Sequence, residues 1–134
     1  MMNICISTNC KYPVSRLIEN SGFTILKCVT TRTPNMNWSC EHFFVSDNEF
    51  ISLQKEQKLG EIMIGKYKTS YFPKDFLSNS ILMENSNMIQ KLSSNLKKIG
   101  FVSDIKNVTT FDVIIDDTLS YEEVLKKFKE ELQS

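Results

Sequence analysis

Residues 24–76 read TILKCVTTRTPNMNWSCEHFFVSDNEFISLQKEQKLGEIMIGKYKTSYFPKDF. With Phe23 in front, FTILKCV is mostly apolar, which predicts an interior strand. TTRTPNMNWSCE is a polar loop in which Pro34 blocks regular structure. HFFV follows as a short strand. Ser46 and Glu49 have the spacing of a capping box, and Val45 and Phe50 are placed to staple it. The helix they start carries Phe50, Ile51 and Leu53 and fades near Gly60. EIMIGKYKTSYF alternates around Gly65 and Lys66, which predicts a hairpin. From about residue 40 to 72 the order is strand, helix, hairpin, the pattern of a small antiparallel insert.

On the N-terminal side, NICISTNCKYPVSRLIEN (3–20) begins as a strand with Ile4 and Ile6 alternating against Asn3, Cys5 and Ser7. A polar loop without glycine leads to Pro13, well suited to the first turn of a helix carrying Val14, Leu17 and Ile18. On the C-terminal side, Pro73 opens another short helix and SILM (80–83) is a brief apolar strand. Met88, Ile89, Leu92, Leu96 and Ile99 fall along one helical face, with Gly100 placed as its cap. FDVIIDD (111–117) is the clearest buried strand. Ser120 and Glu123 form a second capping box ahead of a helix presenting Val124, Leu125, Phe128 and Leu132 to a core. Strands separated by helices at both ends predict a parallel α/β sheet, so the chain reads as one α/β domain over 1–134 with an inserted lobe.

Composition narrows the functional classes. Sixteen basic side chains balance sixteen acidic ones, so no global field draws in nucleic acid or an anionic membrane. No stretch approaches the roughly 20 apolar residues of a membrane span, and MMNICIST lacks the basic and apolar regions of a signal peptide. A cytoplasmic protein, acting in its own or a host cell, is expected. The four cysteines are Cys5, Cys10, Cys28 and Cys40, with no C-x-x-C pair. Cys40 and His42 have no second ligand pair at metal-site spacing, so no metal is expected. His42, beside Phe43 and Phe44, reads as structural. The Lys and Glu residues of the last helix read as a solvated face.

Residues 24–76 resemble the guanylate kinase family. The family pattern is a strand, T-T-R-x-P, a D-Y-x-F-V-S-x-x-E-F segment, an acidic residue near the next strand, and Y-G-[ST]. Here these are Thr30-Thr31-Arg32-Thr33-Pro34, EHFFVSDNEF, Glu61, and Tyr67-Lys68-Thr69. The tail FDVIIDDTLSYEEVLKKFKEEL is similar to the family's last strand and helix. The resemblance implies a P-loop-kinase-like parallel sheet flanked by helices, with a small antiparallel lobe of the GMP-binding type at about 33–72. It also implies a nucleotide-binding set of Arg32, Glu61, Tyr67, Thr69, Cys28 and His42. The chemistry is reasonable. A carboxylate at Glu61 accepts two hydrogen bonds from the guanine edge, and Arg32 can fork onto phosphate with Tyr67 and Thr69 hydroxyls beside it.

The departures from the family pattern cluster at the other half of the site. The glycine-rich ATP-phosphate loop, G-P-S-G-x-G-K-[ST] in the family, is TNCKYPVS (8–15) here. Cys10 and Lys11 sit in that degenerate loop, Lys11 and Pro13 replace glycines, and Val14 replaces the lysine. Only Ser15 survives, at the magnesium-linked hydroxyl position. Asn35 stands where a second phosphate-binding arginine is usual, His42 where the tyrosine is, and Cys28 where a guanine-reading serine is. Arg16 and Arg32 are the only arginines in the chain, so the interval where the family has an arginine-bearing lid contains none. Asn85 is at best a weak substitute for a metal-linked aspartate. Phosphoryl transfer depends on positioning and on stabilising spreading negative charge, and those parts are missing together.

The resemblance thus implies a catalytically inactive guanylate-kinase-like protein that binds GMP or a related guanine nucleotide as sensor, sponge or inhibitor, with no cofactor required. One alternative is an interaction module holding a phosphorylated or other protein partner in the old GMP site, as in membrane-associated scaffold proteins. The other is a divergent guanylate kinase.

Overall fold

The computed structural model describes residues 3–33, 42–92, 95–103 and 111–133. Pro34, Asn35, Trp38 and Cys40 lie outside the described residues. Five strands form one parallel sheet: β1 (Asn3–Ser7), β2 (Thr24–Leu26), β7 (Ser80–Glu84), β8 (Leu96–Phe101) and β9 (Val113–Ile115). Their order is β2-β7-β1-β8-β9, and each pairing is parallel. The described α-helices are α1 (Val14–Asn20), α2 (Asp47–Lys55), α3 (Ser86–Ile89) and α4 (Tyr121–Gln133), and the short helix expected at Pro73 is a single 3₁₀ turn, Pro73–Asp75.

β1 is the central strand, and its alternation divides the protein into two cores. Ile4 and Ile6 face α1 and α4, packing with Leu17, Ile18, Val124 and Phe128. Cys5 faces the other way, with Leu26, Cys28, Met63 and Leu82. This second core joins the sheet to the inserted lobe. The lobe is a four-stranded sheet of order β4-β3-β6-β5, built from β3 (Cys28–Thr30), β4 (His42–Phe44), β5 (Met63–Ile64) and β6 (Lys68–Tyr71). The predicted hairpin is present, pairing Met63 with Thr69 and Ile64 with Lys68. β3 also pairs antiparallel with β6, but β4 runs parallel to β3, so the lobe sheet is mixed rather than purely antiparallel.

The capping box at Ser46 forms in full, whereas at Ser120 the side-chain cap forms and Glu123 meets the Ser120 hydroxyl instead of its N–H. Ser46 Oγ accepts the Glu49 N–H at 3.1 Å, and Glu49 Oε1 accepts the Ser46 N–H at 3.2 Å. Ser120 Oγ accepts the Glu123 N–H at 3.3 Å and donates to Glu123 Oε1 at 2.9 Å.

Three sequence expectations are corrected. FTILKCV is two strands, because the chain leaves the parallel sheet at Lys27 and enters the lobe; β2 is an edge strand and β3 an inner one. The helix expected through Ile99 stops at Ile89, and Leu96–Phe101 is β8, paired with the central β1. Its adjacent lysines suit a strand because their side chains leave by opposite faces. Lys97 Nζ donates to the Glu131 carbonyl at 2.7 Å, and Lys98 Nζ to the Leu92 carbonyl at 2.8 Å. Gly100 is no helix cap; a Cβ there would lie 2.5 Å from the Phe111 ring. FDVIIDD supplies only the three-residue edge strand β9, in which Ile115 alone is fully buried.

Candidate functional site

In open parallel sheets, ligands bind beyond the carboxyl ends of the strands, where the order reverses. Here those ends are Ser7 of β1 and Glu84 of β7, and the lobe lies over the face that Cys5 and Leu82 share. A cavity of about 160 Å³ opens at this place. Arg32, Lys66, Tyr67 and Thr69 line it from the lobe, and Glu84 and Asn85 from the end of β7.

Local structure explains how the lobe presents these groups. Thr30 ends β3 opposite Thr69 of β6, and their hydroxyls lie 3.0 Å apart. Thr30 Oγ1 also accepts the Arg32 N–H at 3.2 Å, turning the chain so that the guanidinium passes over the Phe44 ring, 5.9 Å from its centroid. Lys66 and Tyr67 come from the hairpin turn, where Lys66 Nζ lies 5.6 Å from the Tyr67 ring centroid. On its lobe side the cavity therefore gathers two cations and several hydroxyls, a set suited to phosphate, opposite the Glu84 carboxylate. Arg32, Tyr67, Thr69 and His42, all in the set the resemblance named, line the same cavity. Glu61 is not among the lining residues. It is half-buried ahead of β5, and its backbone carbonyl accepts Ser70 Oγ at 2.8 Å.

Cys28, not among the lining residues, is buried beside His42, its register partner on β4. His42 Nε2 is 3.3 Å from Glu84 Oε1. Sequence reasoning missed Glu84, which closes an apolar strand, and Lys66, which reads as an ordinary turn residue. Asn85 caps α3 instead of facing a metal: its Oδ1 accepts the Met88 N–H at 3.0 Å.

The loop between β1 and α1 has a different character. A phosphate cradle is a nest of successive N–H groups whose residues alternate between right- and left-handed conformations. Among the described residues only Gln57 and Gly22 have positive φ, so residues 8–13 make no such nest. Their N–H groups are used internally. The Thr8 N–H donates to the Glu84 carbonyl at 3.0 Å, the Asn9 N–H to Ser7 Oγ at 3.2 Å, and the Cys10 N–H to the Thr8 carbonyl at 3.0 Å. The Tyr12 N–H points to Cys10 Sγ at 3.4 Å, and Pro13 has none to offer. The Lys11 N–H donates at 2.7 Å to Asp117 Oδ2.

Asp117 is fully buried. Its Oδ1 accepts the Ser103 N–H at 3.1 Å. Burial pushes its carboxyl up, but hydrogen bonds from the Ser103 side chain and from backbone N–H groups outweigh that, so it titrates below the usual carboxylate range. Val14 is buried in the core with α1, and Ser15 is half-buried. Burial, first of all, pushes the Cys10 thiol up to about 12, with the Asp117 carboxylate adding to the shift.

Sheet order, helices on the sheet, and the lobe over the strand ends define a P-loop-kinase-like α/β fold. Within that class, the chain has the fold of guanylate kinase. It matches the crystal structure of guanylate kinase from Anaplasma phagocytophilum with a TM-score of 0.69, over 99% of this chain and 84% of that one. Sequence identity is 14%, so the likeness is one of fold. No protein-family model and no curated protein sequence matches the chain. Among the described residues no helix is long and apolar enough to cross a membrane.

Proposed function

We propose that this protein binds a guanine mononucleotide, or a closely related nucleotide, through the lobe cavity and does not transfer a phosphoryl group. The observation that carries the proposal is the contrast between the two halves of the site. Arg32, Lys66, Tyr67 and Thr69 converge on one cavity, whereas the β1–α1 loop gives its N–H at Lys11 to an internal carboxylate. Asp117 occupies the kind of anion position that a phosphate cradle must keep open.

The cavity, at about 160 Å³, has room for a phosphate group and is smaller than the about 300 Å³ of sites that enclose a whole small molecule. The phosphate would enter it, and the base would lie outside, on the side of Glu61. Hydrogen bonds involving a charged partner contribute roughly 1.5–3 kcal/mol each, so a few of them support micromolar to millimolar affinity.

Titration calorimetry with GMP and with ATP tests this reading. GMP should bind and ATP should not, Arg32→Ala should weaken GMP binding at least about tenfold, and Glu61→Gln should favour other bases. No heat and no thermal shift at millimolar GMP would refute it, as would GMP-dependent release of ADP in a coupled assay.

A further inference from the structure

We propose that Cys28, His42 and Glu84 form a binding site for a zinc-class divalent cation at the junction of the lobe and the parallel sheet. The three side chains come from β3, β4 and β7, and their donor atoms all lie within 4.8 Å of one another. They are 1%, 7% and 9% exposed. Three buried donors on three separate strands converge without any local sequence pattern.

The donor set and the spacing agree on the metal. Tetrahedral zinc, with ligand bonds of about 2.0–2.3 Å, separates neighbouring donors by about 3.3–3.7 Å. His42 Nε2 and Glu84 Oε1 are already 3.3 Å apart, and Cys28 Sγ lies inside the same small sphere. A thiolate, an imidazole and a carboxylate suit zinc and exclude the hard cation of phosphoryl transfer, because magnesium requires oxygen donors in an octahedron. The site therefore differs in chemistry from a kinase metal site.

Backbone geometry supports the same assignment. Cys28 and His42 are direct register partners in parallel strands, so β-sheet hydrogen bonding fixes their relative position. Glu84 is held by its own backbone, whose carbonyl accepts the Thr8 N–H at 3.0 Å. Rigid strands are the supports that a metal site needs. Three protein ligands leave one tetrahedral position, and His42 and Glu84 both line the cavity, so that position opens towards it. A water or a phosphate oxygen could complete the coordination there.

The metal stands on this geometry and does not rest on the nucleotide reading. Two of its ligands are positions that the resemblance would give to nucleotide contacts, Cys28 to the reading of guanine. Occupancy would replace those contacts with a cation that pins the lobe to the sheet.

The test is Co(II) titration of the reduced, chelator-treated full chain without nucleotide. Expected are one Co(II) per chain, a near-ultraviolet thiolate-to-metal charge-transfer band, the intense visible absorption of a tetrahedral site, and displacement of Co(II) by Zn(II). Cys28→Ser should abolish the charge-transfer band. Glu84→Gln should weaken binding by more than the roughly 10–100-fold that loss of an outer-shell partner brings. A wild-type spectrum identical to aqueous Co(II), or a charge-transfer band that survives in Cys28→Ser, overturns the proposal. The wild-type titration needs no variant, so a variant that fails to fold does not shield it. GMP calorimetry on the metal-free chain is read separately, so either proposal can fail alone.

Discussion

Replacing Asp117 by asparagine keeps the size of the side chain and removes the charge that closes the β1–α1 loop. The wild-type carboxylate accepts the Lys11 N–H at 2.7 Å and the Ser103 N–H at 3.1 Å, in a place with no exposure to water. Asparagine has one acceptor oxygen, so one of these N–H groups would meet an NH₂ donor. Loss of a charge-assisted hydrogen bond costs about 1.5–3 kcal/mol, and a buried N–H left without a partner raises that towards about 4 kcal/mol. Domains of this size have about 5–15 kcal/mol in total, so the variant should fold but melt roughly 5–15 °C lower. The effect has a defined pH dependence. The folded-state pKa of Asp117 lies below its unfolded value, so its ionised form contributes stability above about pH 4, and the contribution is lost as pH falls through the folded pKa. Urea unfolding followed by circular dichroism should therefore show a constant gap between wild type and Asp117→Asn from pH 6 to 8, narrowing below about pH 4. Equal midpoints at pH 7, or a gap that stays unchanged in acid, would show that Asp117 does not hold the loop as an anion.

Two further expectations concern other parts of the molecule. Gly100→Ala should destabilise the fold by about 1–3 kcal/mol, because its Cβ would fall 2.5 Å from the Phe111 ring; denaturant unfolding with an unchanged midpoint would contradict the β8 assignment. The Cys10 thiol, raised to about 12 mainly by burial, should react with iodoacetamide at pH 8 at least about a hundredfold more slowly than a free thiol. Mass spectrometry of the alkylated peptides measures this, and rapid labelling of native Cys10 would refute it.

What the sequence disclosed follows from where its signals are local. The capping box at Ser46, the side-chain cap at Ser120, the turn at Gly65-Lys66 and the strand containing Ile4 and Ile6 each depend on residues a few positions apart, and all are present. The handover at Lys27 carries no glycine or proline, because the strand changes sheets without a tight turn. β8 was hidden because Leu96 and Ile99 continue a helical spacing, whereas its lysines are held by a carbonyl in α4 and another after α3. Arg32, Tyr67 and Thr69 of the lobe were legible as a motif, and Lys66 was not. Glu84 was not, since its role depends on a strand of one sheet ending against two strands of the other.

Glu84 also links the two halves of the site. Its backbone carbonyl ties Thr8 to the end of β7, Asn9 Nδ2 reaches Ser86 Oγ at 3.1 Å, and Lys11 is tied to Asp117 on the far side. A nucleotide triphosphate entering this loop would have to break all three bonds before gaining any of its own. Two neutral bonds and one charged bond together amount to about 3–6 kcal/mol. Micromolar affinity corresponds to about 8 kcal/mol, so this opening alone would weaken it by roughly two to four orders of magnitude. Val14, at the position of the lysine that would repay the opening, is instead the first residue of α1 and turned into the core. A lysine introduced there would lose that packing while the loop stayed tied. On the proposed reading, ATP binding would require releasing Asp117 as well as adding a cation, and Val14→Lys alone should leave ATP unbound in calorimetry.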